Sequence, residues 1–317
     1  MRAATVFSTL STQLLFNPAV TDKDGCPVII LQPRYLDTKS MTPLQALKAY
    51  IYIFEHTVKN MPAGISQFVI INDVNGMLAT EFDSRFPKIV LAHVQDHFPG
   101  RLKNAMLVNS PWFFPMVFKI VSSFLEPDFK SRAKVVDQSV VHEQFDKAAL
   151  PSTLGGTAEY DIREWLRERM ESEGDSAAAA GGAGGDDDGK TEETSKRGAD
   201  VEIDPLLETA LTDAATTTTR EDCDHSGWGT KLGAVVKNWK RRFFVLKGPL
   251  IFYYKTESSP KPQGVIVLER TRVQDGTCKG KTHEVEIVTP LRVYHLVVDS
   301  AESKEAWSKA IAANCVA

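Results

Sequence analysis

One stretch decides how this chain can fold. Residues 176–189 read S-A-A-A-A-G-G-A-G-G-D-D-D-G. A segment with so little apolar surface cannot offset the entropy lost on ordering it, so no single hydrophobic core runs through all 317 residues. Low complexity continues through Thr191–Asp200 and the Thr216–Thr219 run, and only Ile203–Leu211 (I-D-P-L-L-E-T-A-L) has the apolar content of a short docking helix. About 50 flexible residues span roughly 35–42 Å, and acidic self-repulsion extends them. Two blocks joined in this way move independently.

Charge follows the same division. Residues 1–170 carry a net +1, residues 171–223 a net −11 and residues 224–317 a net +6, which gives the overall −4. A basic terminal block points to an anionic partner, membrane lipid or nucleic acid. The four cysteines (Cys26, Cys223, Cys278, Cys315) are far apart and form no C-x-x-C pair, as expected in a reducing compartment. The start, M-R-A-A-T-V-F-S-T-L-S-T-Q, is too interrupted by Ser, Thr and Gln for a secretory signal. The apolar stretch Ala105–Leu125 contains Pro111, Pro115 and Lys119, the pattern of a buried strand followed by an amphipathic helix. These features predict a cytoplasmic, peripheral membrane protein.

The first block alternates short apolar runs at Pro27–Leu31, Phe68–Ile71 and Met106–Val108 with helical spacing over Thr42–Asn60 and Ser84–His97. Such alternation predicts an α/β sheet with helices on its faces. The second block has strand-like runs at Gly227–Lys231, Trp239–Lys247, Leu250–Thr256, Gly264–Leu268, Glu284–Val288 and Val293–Val298, with a capped amphipathic helix over Ser300–Asn314. This predicts a small antiparallel barrel closed by one helix.

The motifs of the first block are D-K-D-G-C-P-V (22–28), I-N-D-V-N-G (71–76), H-F-P-G-R-L-K (97–103), V-N-S-P-W-F-F (108–114), F-L-E-P (124–127) and L-P-S-T-L-G-G-T (150–157). In this order they resemble the CRAL-TRIO lipid-binding family, over about residues 20–170. The resemblance implies one apolar lipid cavity behind a helical gate at Pro111–Glu126, with Phe113, Phe114, Val117, Phe118, Val121 and Phe124 contacting lipid or sealing the pocket. Arg132 stands where phosphatidylinositol-handling members place a headgroup-contacting Lys. Gly100 and Phe129, however, replace an acid and a Thr of those members, which leaves a generic hydrophobic or sterol-like ligand as the expectation. The helical bundle that precedes this domain in the family is missing or reduced to about 20 residues, which reads as a truncated product.

In the second block, S-G-W-G-T-K (226–231), N-W-K-R-R-F-F-V-L-K (238–247), L-I-F-Y-Y-K (250–255) and Trp307 resemble a pleckstrin-homology (PH) domain. Lys231, Lys240 and Arg242 match the family's phosphoinositide pattern. The strand period of two sends Lys240 and Arg242 to one face and Arg241 to the other, and the loop between the first two strands is expected to close over phosphate groups. Tyr254 and Lys255 complete the expected contacts. The predicted organisation is an uncertain segment at 1–20, a CRAL-TRIO domain at 21–170, an acidic linker at 171–223 and a PH domain at 224–317.

Other motifs lead nowhere. Gly184–Thr191 spells the phosphate-loop pattern, but it lies in the tether with three aspartates where phosphate would sit. His93 and His97 have metal-ligand spacing, yet no third ligand is placed by the sequence. No G-x-S-x-G elbow or other catalytic constellation is present, so no enzyme activity, no metal and no cofactor beyond a bound lipid is expected. Phe243–Leu246 reads as barrel core, not as a stacking platform for nucleic acid. The sequence reading is a lipid-transfer protein docked by phosphoinositides. The alternative is a membrane-recruited adaptor with a vestigial pocket, meeting proteins through its acidic linker.

Overall fold

The computed structural model describes residues 2–174, 203–215, 222–233, 238–276, 278 and 280–316. The Gly184–Thr191 motif and most of the acidic tether lie outside the described residues. The chain separates into two compact units, the first built from residues 1–77 and 83–192 and the second from residues 78–82 and 193–317.

The first unit is organised by a five-stranded sheet in the order β1-β2-β3-β4-β5. Strands β2 (Val28–Leu31), β3 (Phe68–Asp73), β4 (Leu102–Val108) and β5 (Ala133–Val135) run parallel. Burial is strongest in β2 and β3, the strands covered on both faces, and falls away at the edge strand β5. Helix α2 (Pro43–Lys59) begins on a capping box: Thr42 Oγ1 accepts from Gln45 N at 3.2 Å, and Gln45 Oε1 accepts from Thr42 N at 2.8 Å. Thr42→Ala is expected to cost about 1 kcal/mol, read as a lower urea midpoint at unchanged slope.

Residues 1–20, which the sequence reading sets apart, belong to this unit's core. Helix α1 (Ala3–Leu10) buries Val6 and Leu10, and strand β1 (Leu15–Phe16) pairs antiparallel with β2. These residues share one hydrophobic cluster with Ile29, Ile53 and Phe68. The apolar stretch Ala105–Leu125 divides between β4 and helix α4 (Phe114–Ser122). Among the described residues, no helix is long and apolar enough to cross a membrane. Helix α3 (Arg85–His97) joins β3 to β4, α5 (Pro127–Arg132) follows the predicted gate, and α6 (Gln138–Gln144) and α7 (Ile162–Ser172) complete the unit.

The second unit begins with helix α8 (Pro205–Ala215), which buries Leu207, Leu211 and Ala215 at a spacing of four. It packs against β9 (Gly264–Val267) of a seven-stranded antiparallel sheet, β10-β11-β12-β6-β7-β8-β9. The remaining strands are β6 (His225–Leu232), β7 (Trp239–Lys247), β8 (Leu250–Tyr254), β10 (Arg272–Asp275), β11 (Glu284–Val288) and β12 (Val293–Val297). Ile266 from one end of that order and Ile287 from the other meet in a single core, so the sheet folds over on itself. Helix α9 (Ala301–Ala313) closes the core with Trp307, 1% exposed and edge-on to Phe244 at 6.2 Å. Gly229 leaves room for the core on the inner face: a Cβ there would stand 2.6 Å from Leu296 Cδ1.

Candidate functional site

The register of β6 against β7 builds the basic site. Lys231 lies directly opposite Lys240, and Gly229 opposite Arg242. Alternate residues of β7 share a face, and Phe244 and Leu246 point into the core. Lys240 and Arg242 therefore continue the core-facing row toward the start of β7. Two lysines directly opposite one another repel and destabilise a sheet; an anion placed between them reverses the sign of that interaction. Lys231 Nζ sits 4.3 Å from the ring centroid of Tyr253, a cation–π contact that holds the ammonium on this face. Arg242 Nη1 donates to the Arg241 carbonyl at 2.8 Å.

Arg241 points the other way, as the strand period requires. Its guanidinium bridges Asp299 at 3.0 Å and lies 5.5 Å from the Trp228 ring. Tyr254 is a correction to the sequence reading. It pairs with Phe243 and is 5% exposed, so it lies on the opposite face from Lys240 and Arg242. Tyr253, paired with Phe244, is the aromatic on the basic face. A one-residue slip in counting moves every side chain to the other side of a strand, and only the observed pairing fixes the parity. Lys255 follows β8 with the parity of Tyr253 and is exposed. Residues 234–237, in the loop expected to close over phosphate, lie outside the described residues.

In the first unit the motifs meet in space. Lys103 Nζ contacts Asp22 Oδ2 at 2.6 Å and Asp24 Oδ2 at 2.5 Å, joining the 22–28 and 97–103 segments. Burial works against its charge, but the hydrogen bonds to the two aspartates raise the ammonium pKa above its ordinary value. At the C-terminal ends of the parallel strands, fully buried Asp73 accepts from Arg34 Nη1 at 3.0 Å and from Asn109 Nδ2 at 2.8 Å. Asn109 has φ +58°, a conformation Asn tolerates better than most residues. It turns the chain from β4 into the predicted gate, and its Nδ2 also donates to the Thr153 carbonyl at 3.3 Å. Segments 71–76, 108–114 and 150–157 thus meet through Asn109, which bonds both the Asp73 carboxylate and the Thr153 carbonyl. The sequence quotes all three but does not reveal their meeting point.

Along the predicted gate, Phe113, Phe114 and Val117 are buried, whereas Phe118, Val121 and Phe124 are half-buried. Arg132 is engaged by Asp128 at 2.9 Å and donates to the Leu102 carbonyl at 3.1 Å. A cavity of about 240 Å³ lies among Phe16, Gln32, Tyr35, Thr153 and Tyr160. A second, of about 420 Å³, lies among Asn109, Ser110, Val135, Val136, Asp137 and Gln138. Neither is lined by the gate aromatics. The second sits beyond the carboxyl ends of the strands, where open α/β sheets take ligands.

Comparison with known proteins follows this division. The CRAL/TRIO domain model matches residues 13–156, and the PH domain model matches residues 223–316. The chain joins a CRAL/TRIO domain to a PH domain. Over 161 residues it is 28% identical to "Alpha-tocopherol transfer protein-like" of Homo sapiens, covering 49% of this chain and 47% of that protein. Over 142 residues it is 24% identical to "Phosphatidylinositol transfer protein CSR1" of Eremothecium gossypii, covering 44% of this chain and 33% of that one. The chain thus spans half or less of the length of these relatives. The C-terminal PH domain of pleckstrin in complex with D-myo-Ins(1,2,3,4,5)P5 is 29% identical, with 29% of this chain and 96% of that chain covered and a TM-score of 0.26. CRAL/TRIO and PH domains are lipid-binding modules that are typically non-enzymatic.

Proposed function

We propose that this protein holds one hydrophobic lipid in its CRAL/TRIO domain and docks on phosphoinositide-bearing membranes through its PH domain. The observation that carries the reading is the Lys231–Lys240 cross-strand pair, with Arg242 on the same face. A like-charged pair at this position is a cost to the fold that an inositol phosphate headgroup would turn into binding energy, because charge-assisted hydrogen bonds to phosphate are roughly twice as strong as neutral ones. The second domain supplies membrane address and residence time, and the first exchanges its lipid when the gate opens. The tether raises the effective concentration of one domain at the site of the other.

The test is lipid extraction and mass spectrometry of the purified full chain, followed by transfer of labelled lipid between vesicles. One lipid per chain is expected, with transfer accelerated when acceptor vesicles carry phosphoinositide. A lipid-free chain that still sediments with phosphoinositide vesicles overturns the transfer reading and favours an adaptor. The burial of Phe113, Phe114 and Val117 within the protein is the feature that fits this second reading.

A further inference from the structure

Away from the basic face, the turn between β10 and β11 brings a second set of side chains to one point. Glu286 lies directly opposite His295 across β11 and β12, and Gln274 lies opposite Glu286 across β10 and β11, so these three form a row across three strands. Glu284, two residues before Glu286, shares its face, while Val285, Ile287 and Leu296 point into the core. Cys278 reaches the same face from the turn. His295 Nδ1 is 2.8 Å from Glu284 Oε1, 3.5 Å from Glu286 Oε1 and 3.5 Å from Cys278 Sγ. The ligand atoms of Cys278, Glu284 and His295 all fall within 4.8 Å of one another.

We propose that Cys278, Glu284, Glu286 and His295 form a tetrahedral site for a divalent transition metal, with zinc the best match. One thiolate, one imidazole and carboxylate oxygens are zinc's donor set. Zinc bonds of about 2.3 Å to sulfur and about 2.0–2.2 Å to nitrogen and oxygen place neighbouring ligand atoms roughly 3.3–3.6 Å apart. The two 3.5 Å separations already have that spacing. The 2.8 Å separation is a hydrogen bond that the metal replaces, widening by about half an ångström.

The surroundings prepare the same arrangement. Glu284 Oε2 accepts from the Cys278 backbone N–H at 2.8 Å, and Glu286 Oε2 accepts from Gln274 Nε2 at 2.8 Å. Each carboxylate therefore has one oxygen tied by an outer donor and the other turned toward His295 Nδ1. Outer hydrogen bonds of this kind fix ligand orientation in metal sites. Both glutamate side chains are almost wholly buried, at 2% and 6% exposure. A dication beside His295 Nδ1 answers the Cys278 thiolate and the Glu284 carboxylate, with Glu286 Oε1 reaching the same imidazole nitrogen from the next position on the strand face. On binding, the Cys278 thiol loses its proton to solvent, the imidazole proton resides on Nε2, and the metal clamps the β10–β11 turn to β11 and β12.

The experiment uses the full chain, stripped with a chelator, dialysed and titrated with zinc against a chromophoric competitor, then with cobalt(II). One zinc per chain is expected, together with a cobalt spectrum that combines tetrahedral ligand-field intensity with a thiolate charge-transfer band. Cys278→Ser should abolish that band and His295→Gln should weaken metal binding, whereas Cys223→Ser should leave both unchanged. Gln274→Ala should weaken zinc about 10- to 100-fold while keeping the band. Failure of the parent chain to retain stoichiometric zinc overturns the proposal, as does an unaltered charge-transfer band in Cys278→Ser. The parent spectrum decides the matter even if a variant folds poorly.

Discussion

A chain carrying Lys240→Ala and Arg242→Ala together is expected to bind phosphoinositide vesicles roughly 100- to 1,000-fold more weakly than the parent. Each side chain contributes about 1.5–2 kcal/mol as a charge-assisted hydrogen-bond donor to phosphate, and every 1.4 kcal/mol is tenfold. Arg241→Ala is the matched control. It removes the same kind of charge one residue away, but from the opposite face, where Arg241 pairs with Asp299. Its effect should stay within about fivefold, the roughly 1 kcal/mol that one basic residue contributes near an anionic leaflet without contacting the headgroup. Vesicle sedimentation at two salt concentrations reads both effects, and the parent's binding should fall as salt rises. The double variant should unfold no more easily than the parent, since losing Lys240 relieves its repulsion with Lys231. Equal loss in the Arg241→Ala and double variants would reduce the site to nonspecific net charge and sink the headgroup assignment.

The strand period of two explains both the success and the error of the sequence reading in this region. It separates Lys240 and Arg242 from Arg241 correctly, because all three lie on one uninterrupted strand and their relative parity is visible in the letters. It fails for Tyr254, because relating β8 to β7 needs the register across a turn, and Y-Y offers two equally plausible rings. The same limit hides the Cys278 cluster. Its members stand at 278, 284, 286 and 295, a spacing without a local motif, and they meet only because Glu286 faces His295 across two strands. In the first domain, alternating apolar runs mark β2, β3 and β4, but α1 and β1 are missed. A stretch interrupted by Ser, Thr and Gln has a weak apolar signal, and its burial depends on helices that arrive much later in the chain. The short helix in the acidic tether is legible as Ile203–Leu211, since Leu207 and Leu211 share one helical face; the structure sets it at Pro205–Ala215.

Asp73→Ala is expected to be the most destabilising single change in the CRAL/TRIO domain. Asp73 is fully buried, and its two carboxylate oxygens serve Arg34, Asn109 and the Asn75 backbone N–H, the last at 3.3 Å. Truncation leaves the Arg34 guanidinium, itself only 15% exposed, without its counter-charge. Breaking one partner of such a buried pair costs about 3–5 kcal/mol. In a domain of this size each kcal/mol moves the transition by about 2–4 °C. Scanning calorimetry of the full chain should therefore show the first-domain transition falling by roughly 10 °C while the PH transition stays in place. Asp73→Asn, which keeps the shape and loses the charge, should fall between the two. The consequence reaches the proposed function because Asn109, at φ +58° and bonded to this carboxylate, is the residue that leads from β4 into the predicted gate. Without the Asp73 Oδ1 acceptor, the root of the predicted gate loses its anchor to β3. Under the proposed lipid-binding reading, Asp73→Ala, which removes the Oδ1 that accepts from Asn109, should then release lipid faster than the parent at temperatures where both remain folded, whereas Asp73→Asn, which keeps that acceptor, should stay closer to the parent. A variant that loses stability but keeps the parent's release rate would confine Asp73 to holding the strands together and would place the gate's hinge elsewhere.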